Sequence, residues 1–138
     1  LHYRSHSFPT RRSSDLLQHA LVSGVTPVLF SSRGEVRSGR EREDRRLSRE
    51  LSRLMARLAS AMAPSLGYLI SKGGTTTQTL LSGGLALRSL HLEGQLLPGL
   101  SLVRPSGGRL QQLPILTFPG NLGEPGTLLL AWQRMEAG

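Results

Sequence analysis

The chain has 138 residues, of which 38% are apolar and 4% aromatic, with no cysteine and a net charge of +8. That length suits one small domain with a single hydrophobic core, and the missing cysteines exclude disulfides, thiolate metal sites and a cysteine nucleophile. With so few rings, the core must come from Leu, Val, Ile and Ala, which favours helices packed on a sheet over an aromatic-rich sandwich.

No apolar run approaches the roughly 18 residues that would span a bilayer, and the first residues lack the apolar core of a secretion signal, so a soluble, cytoplasmic protein is expected. Lys72 is the only lysine among the seventeen basic residues. The positive charge favours an anionic partner, either nucleic acid, an acidic membrane or a nucleotide.

Residues 1–16 show no sustained apolar period. The stretch Phe8-Pro9-Thr10-Arg11-Arg12-Ser13-Ser14-Asp15-Leu16 resembles translated sequencing-adapter sequence. They are expected to be a non-native scar or a disordered basic tail, leaving 17–138 as a domain truncated on its amino-terminal side.

Leu16, Leu17, Ala20 and Leu21 recur at helical spacing before Gly24, which predicts a short helix over 16–23. The run 27–32, Pro-Val-Leu-Phe-Ser-Ser, reads as a buried strand. After a loop over 35–46, Leu47, Leu51, Leu54, Met55, Leu58 and Met62 form one apolar stripe of a helix that Pro64 stops.

A second strand is expected over 66–71, then Lys72-Gly73-Gly74-Thr75-Thr76-Thr77 and a helix ended by Gly83 and Gly84. Runs at 87–92, 100–103 and 113–118 read as three further strands, and 127–135 as a closing helix. Helices alternating with apolar strands predict an α/β fold: a layered sheet with helices packed on it.

Two segments carry chemistry. In the first, an apolar strand runs into Gly73 and Gly74 and then a helix; glycines let backbone amides approach a phosphate, and a helix start offers free N–H groups and a positive dipole end. Thr75, Thr76 and Thr77 offer hydroxyls for capping or for phosphate oxygens. The plain alternative is a strand-to-helix turn with a threonine cap. In the second, Pro119-Gly120-Asn121-Leu122-Gly123 follows another strand and precedes another helix. Two such loops at one sheet edge would form a nucleotide cradle. Neither matches the P-loop or the dinucleotide fingerprint.

Eight arginines between Arg37 and Arg57 could instead grip RNA or DNA. Interleaved Glu41, Glu43, Asp44 and Glu50 and the lack of aromatics favour a solvated, ion-paired helix face. The stripe also lacks the Trp or Phe of a membrane-surface helix. His2, His6, His19 and His91 show no metal-ligand spacing, and Ser31 and Ser32 have no triad partners in reach.

Four segments occur in a recognisable order: Leu29-Phe30-Ser31-Ser32-Arg33, Ile70-Ser71-Lys72-Gly73-Gly74-Thr75-Thr76, Leu92-Glu93-Gly94-Gln95-Leu96-Leu97-Pro98-Gly99 and Thr117-Phe118-Pro119-Gly120-Asn121-Leu122-Gly123. Together they resemble the carboxy-terminal, nucleotide-binding region of the four-carbon acid sugar kinases, over about 17–135. Thr75 stands where members commonly carry a bulkier aliphatic residue, and Glu124-Pro125-Gly126 where acidic residues often follow.

The resemblance implies a kinase that phosphorylates sugar acids of the threonate, erythronate or oxo-tetronate type with ATP and Mg2+, the sugar acid being held by an amino-terminal domain. It implies ATP contacts from Ser32, Gly73, Gly74, Thr75, Thr76, Gly94, Gly120, Asn121, Leu122 and Gly123, a general base on the amino-terminal domain, and no catalysis by this chain alone. The competing expectation is a non-catalytic nucleic-acid-binding module built on the arginine-rich helix 37–57.

Overall fold

The computed structural model describes residues 9–31 and 39–138. Its longest element is α2 (Glu41–Met62). Glu41, Glu43 and Asp44 in the first turn complement the positive end of the helix dipole, and Leu, Ala and Arg fill the interior with strong helix formers. It tightens into a 3-10 turn at Ala63–Ser65, where Pro64 removes a donor. Ahead of it, α1 (Pro9–Val22) starts earlier than the expected 16–23 and packs Leu17 against Leu58 and Met62.

Four strands follow: β1 (Leu69–Lys72), β2 (Leu90–Leu97), β3 (Leu100–Pro105) and β4 (Ile115–Phe118). They form one sheet in the order β1-β4-β3-β2, with β1 parallel to β4 and the other pairs antiparallel. Between β1 and β2 lies α3 (Gly74–Gln78), which widens into a π turn over Thr79–Gly84; α4 (Thr127–Ala137) closes the chain. The fold is α/β as expected.

One interior strand, β4, carries apolar residues on both faces because both are covered. Ile115 packs with Val103, Leu80, Ala56 and Ala63 on the α2 side, while Leu116 and Phe118 pack with Leu100 and Ala131 on the α4 side. Small residues let the π turn approach α2: a Cβ on Gly84 would stand 2.8 Å from the Ala56 carbonyl oxygen, and Ser60 Oγ donates to the Gly84 carbonyl at 2.7 Å.

Two sequence expectations fail here. Residues 27–31 of the strand expected at 27–32 form no regular structure, and Val28 and Phe30 are exposed. The segment is tied instead by side chains: Trp132 Nε1 donates to Thr26 Oγ1 at 3.1 Å, and Thr26 donates to Glu136, which also accepts from the Tyr68 hydroxyl.

The stripe of α2 holds only in part: Leu58 and Met62 are buried and Leu54 and Met55 half-buried, as the spacing predicts. Its buried residues are Ser52, Ala56, Leu58 and Met62, whereas Leu47 and Leu51 are exposed. Among the described residues, the neighbouring elements pack against the second half of α2 only, and there the close approach of the π turn selects Ser and Ala over Leu.

Candidate functional site at the glycine loops

Because β1 and β4 run parallel and adjacent, the loops that leave them emerge at the same edge of the sheet. The ladder continues one residue beyond Lys72: the Gly73 N–H donates to the Phe118 carbonyl at 2.9 Å. Gly73 has φ +104°, in the region that favours glycine, and this turns the chain into α3. A Cβ on Gly120 would lie 3.4 Å from the Gly73 Cα. The two loops are therefore in direct contact.

Gly73 occupies the N-cap position of α3, and no side chain caps the helix. The threonines expected to cap serve otherwise. Thr77 Oγ1 lies 2.8 Å from Ser71 Oγ, which holds the first turn of α3 onto β1, while Thr75 is exposed and Thr76 half-buried. The amides of Gly74, Thr75 and Thr76 belong to the first turn, where a helix supplies no internal acceptor. They are the groups that an oxyanion at this edge would meet.

The second loop is held from two sides. Lys72 Nζ donates to the carbonyls of Pro119, Gly120 and Leu122 at 3.2, 3.1 and 3.4 Å, and sits 4.0 Å from the centre of the Phe118 ring. From the other side, the β2–β3 turn supports it so closely that a Cβ on Gly99 would stand 2.7 Å from Leu122 Cδ2. Leu122 also donates its own N–H to the Pro119 carbonyl at 3.2 Å.

Gly123, at φ +95°, turns the chain away, and a Cβ there would stand 2.9 Å from the Thr127 side chain. Thr127 Oγ1 accepts the Glu124 N–H at 2.9 Å at the start of α4. Residues 124–126 separate the second loop from α4, whose start at Thr127 matches the expected helix over 127–135, so α4 does not aim its first amides from Gly120 or Asn121.

Of the residues expected to contact a nucleotide, Gly73, Gly74, Thr75, Thr76, Gly120, Asn121, Leu122 and Gly123 come together at this rim. Ser32 lies outside the described residues. Gly94 stands apart, on β2 and in register with Leu102 and Leu116 rather than at a strand end. Its φ of +140° accompanies the register shift between Leu92 and Gly94, a bulge that re-aims the following residue.

Sequence reasoning missed two features. One is the role of Lys72, whose position ahead of the glycines was visible although its carbonyl partners 47 to 50 residues away were not. The other is a row of polar side chains at the rung beneath the loops: Ser71 is paired with Thr117, Thr117 with Ser101, and Ser101 with Gln95. No local signal marks it, since the four residues sit on four strands.

The arginine-rich face of α2 is a solvated helix face in part: Arg45 pairs with Glu41, Arg40 with Glu43 and Arg53 with Glu50, all well exposed. Such pairs contribute about 0–1 kcal/mol each. The separate cavity of about 500 Å³ lined by Arg88, Ser89, Ser106 and Arg109 lies at the opposite end of the sheet and touches none of the loop residues. Among the described residues, no group of three or more His, Asp or Glu is placed to hold a metal ion, and no helix is long and apolar enough to cross a membrane.

Two crystal forms of a domain of unknown function, DUF1537, from Bordetella bronchiseptica, each described as a domain-swapped dimer with bound citrate, share the fold. Their TM-scores are 0.58 and 0.59 and their identities 22% and 23%, over 95% and 88% of this chain. The chain spans 37% and 30% of the length of those two chains. No curated protein matches it. The profile of the nucleotide-binding C-terminal domain matches residues 6–128, nearly the whole chain, and to that family this protein belongs.

Proposed function

We propose that the chain is the ATP-binding part of a kinase that phosphorylates four-carbon sugar acids of the threonate, erythronate or oxo-tetronate type. The observation that carries the reading is the contact between the two glycine loops, with the would-be Cβ of Gly120 at 3.4 Å from Gly73 Cα. Bare backbone there leaves room for phosphate oxygens to reach amides that a side chain would shield. The nucleotide-binding family supports it, and the two Bordetella structures, of whose chains this one spans 37% and 30%, share the fold.

ATP supplies the phosphoryl group; this chain positions it. Amides of Gly74, Thr75 and Thr76, with those of Gly120 and Asn121, hold the phosphates, while Lys72 fixes the second loop and adds positive charge at the rim. Phosphoryl transfer asks for positioning and charge neutralisation more than for covalent chemistry. The donors present suit a triphosphate better than a bare ion: Glu124 is the only acid on the loops, so Mg2+ would be held through the nucleotide and would supply charge neutralisation there. The sugar acid and the general base belong to the amino-terminal part of the parent.

Calorimetric titration of the chain with Mg-ATP tests the reading. Saturable binding that Gly120→Val abolishes is expected. Absence of any nucleotide response, alongside tight RNA binding that falls steeply between two salt concentrations, would reverse it in favour of the arginine-rich helix.

A further inference from the structure

The polar row beneath the loops needs a reason. Ser71, Thr117, Ser101 and Gln95 occupy one rung across all four strands. Pairing puts this rung on the α2 side of the sheet, where the next rung away from the loops, Leu69, Ile115 and Val103, belongs to the apolar core. A polar rung there forgoes apolar burial, and groups of this type are kept where something hydrogen-bonds them.

At the β1 end the reason is internal: Ser71 is buried and bonded to Thr77. Toward β2 it is not. Exposure grows along the row, with Thr117 and Ser101 half-buried and Gln95 exposed. Thr117 Oγ1 donates to the Ser101 carbonyl at 3.2 Å. No side-chain partner of the Ser101 hydroxyl occurs among the described residues. Gln95 Oε1 accepts the Gly99 N–H at 3.4 Å, which orients the amide and leaves both of its N–H groups free to donate.

Beside Gln95 on the same face lies Leu92, paired with Val103 and 64% exposed. The bulge at Gly94 puts Leu92 and Gln95 on one side despite their odd spacing. The open surface next to the loops is thus a strip about 10 Å wide from β4 to β2, two strand spacings, with free donors in its middle and an apolar floor at its end.

We propose that this strip receives the nucleoside of the bound nucleotide, with Ser101 and Gln95 donating to its ribose or base and Leu92 lying under the base. The proposal rests on the nucleotide reading of the glycine loops and extends it. A ligand whose phosphates sit at the β1–β4 edge has the other side of the sheet closed by α4, whose Ala131 and Met135 pack on Leu116 and Phe118. The β1 flank of the α2 side is occupied by α3, so the remainder of the ligand extends toward β2.

Comparing Mg-ATP with magnesium tripolyphosphate, which has the phosphates without the nucleoside, tests the strip by calorimetry on the same chain. Wild type should bind ATP more tightly than tripolyphosphate. Gln95→Ala and Ser101→Ala should each weaken ATP by about 5- to 10-fold, the loss of one hydrogen bond, and leave tripolyphosphate within about twofold. Gln95→Glu, which keeps the shape but removes the amide donors, should do the same with the melting temperature unchanged. Equal affinity of wild type for both ligands, or variants that bind ATP normally, overturns the strip and leaves the loops standing. Parallel loss of both ligands in the variants assigns these side chains to the fold and also overturns it. A wild type that binds neither ligand overturns the nucleotide reading and the strip together.

Discussion

Gly73 and Gly120, 47 residues apart, meet so closely that a methyl on Gly120 would touch the Gly73 Cα at 3.4 Å. That distance is ordinary van der Waals contact, so the fold tolerates the methyl, which crowds the bare backbone where the two loops meet. Gly120→Ala should therefore keep its melting temperature yet bind Mg-ATP about tenfold more weakly, and Gly120→Val more weakly still, because the amides are shielded. Paired thermal melts and calorimetry check this; a large loss of stability without loss of ATP affinity contradicts it.

Lys72 uses its three donors on three carbonyls of the second loop. Lys72→Met keeps the stem over Phe118 and removes the clip. Weaker ATP binding by about 10-fold or more is expected, with a shallower salt dependence because a charge near the phosphates is gone. Lys72→Arg should not restore binding fully, since a planar fork does not match three carbonyls converging on one point. Calorimetry at two ionic strengths measures both.

Gly84 tests the packing away from the site. A Cβ there would stand 2.8 Å from the Ala56 carbonyl oxygen and 3.1 Å from its Cβ, and backbone cannot yield as a flexible side chain would. Gly84→Ala should cost about 1–3 kcal/mol in denaturant unfolding. The fraction that remains folded should bind ATP as wild type does, because the glycine loops are not touched.

Tyr68 is held above 10.0, the ordinary tyrosine value, first by burial and then by its hydrogen bond to Glu136. A folded value above the unfolded one means that the neutral hydroxyl stabilises the fold below pH 10.0, and that this contribution is lost as pH rises through the folded value. Tyr68→Phe should cost about 0.5–1.5 kcal/mol at pH 7. The gap to wild type should stay constant to about pH 9 and close above pH 10.0. Trp132 is the single tryptophan and donates to Thr26 in the same network, so its fluorescence follows the transition.

How much was legible varies with how local the signal is. The strands β1, β3 and β4 announce themselves as short apolar runs bounded by Gly and Pro, and Gly73-Gly74 and Gly120 to Gly123 declare turns. The run at 27–31 has the same composition as a strand but pairs with none of the described strands, and composition cannot show that. In α2 the leucine period was real, yet Leu47 and Leu51 stay exposed, while Ala56 and Ser60 meet the π turn at Gly84, where only small side chains fit.

Left to itself, the sequence determined most of the elements and the two glycine turns, because turn chemistry and apolar runs act within a few residues of the chain. Tertiary structure alone decided that β1 and β4 lie side by side, that Lys72 reaches the second loop, and that Ser71, Thr117, Ser101 and Gln95 share a rung. Strand order and register are set by the burial of both sheet faces at once, a balance over the whole core in which the bulge at Gly94 decides which way Gln95 points.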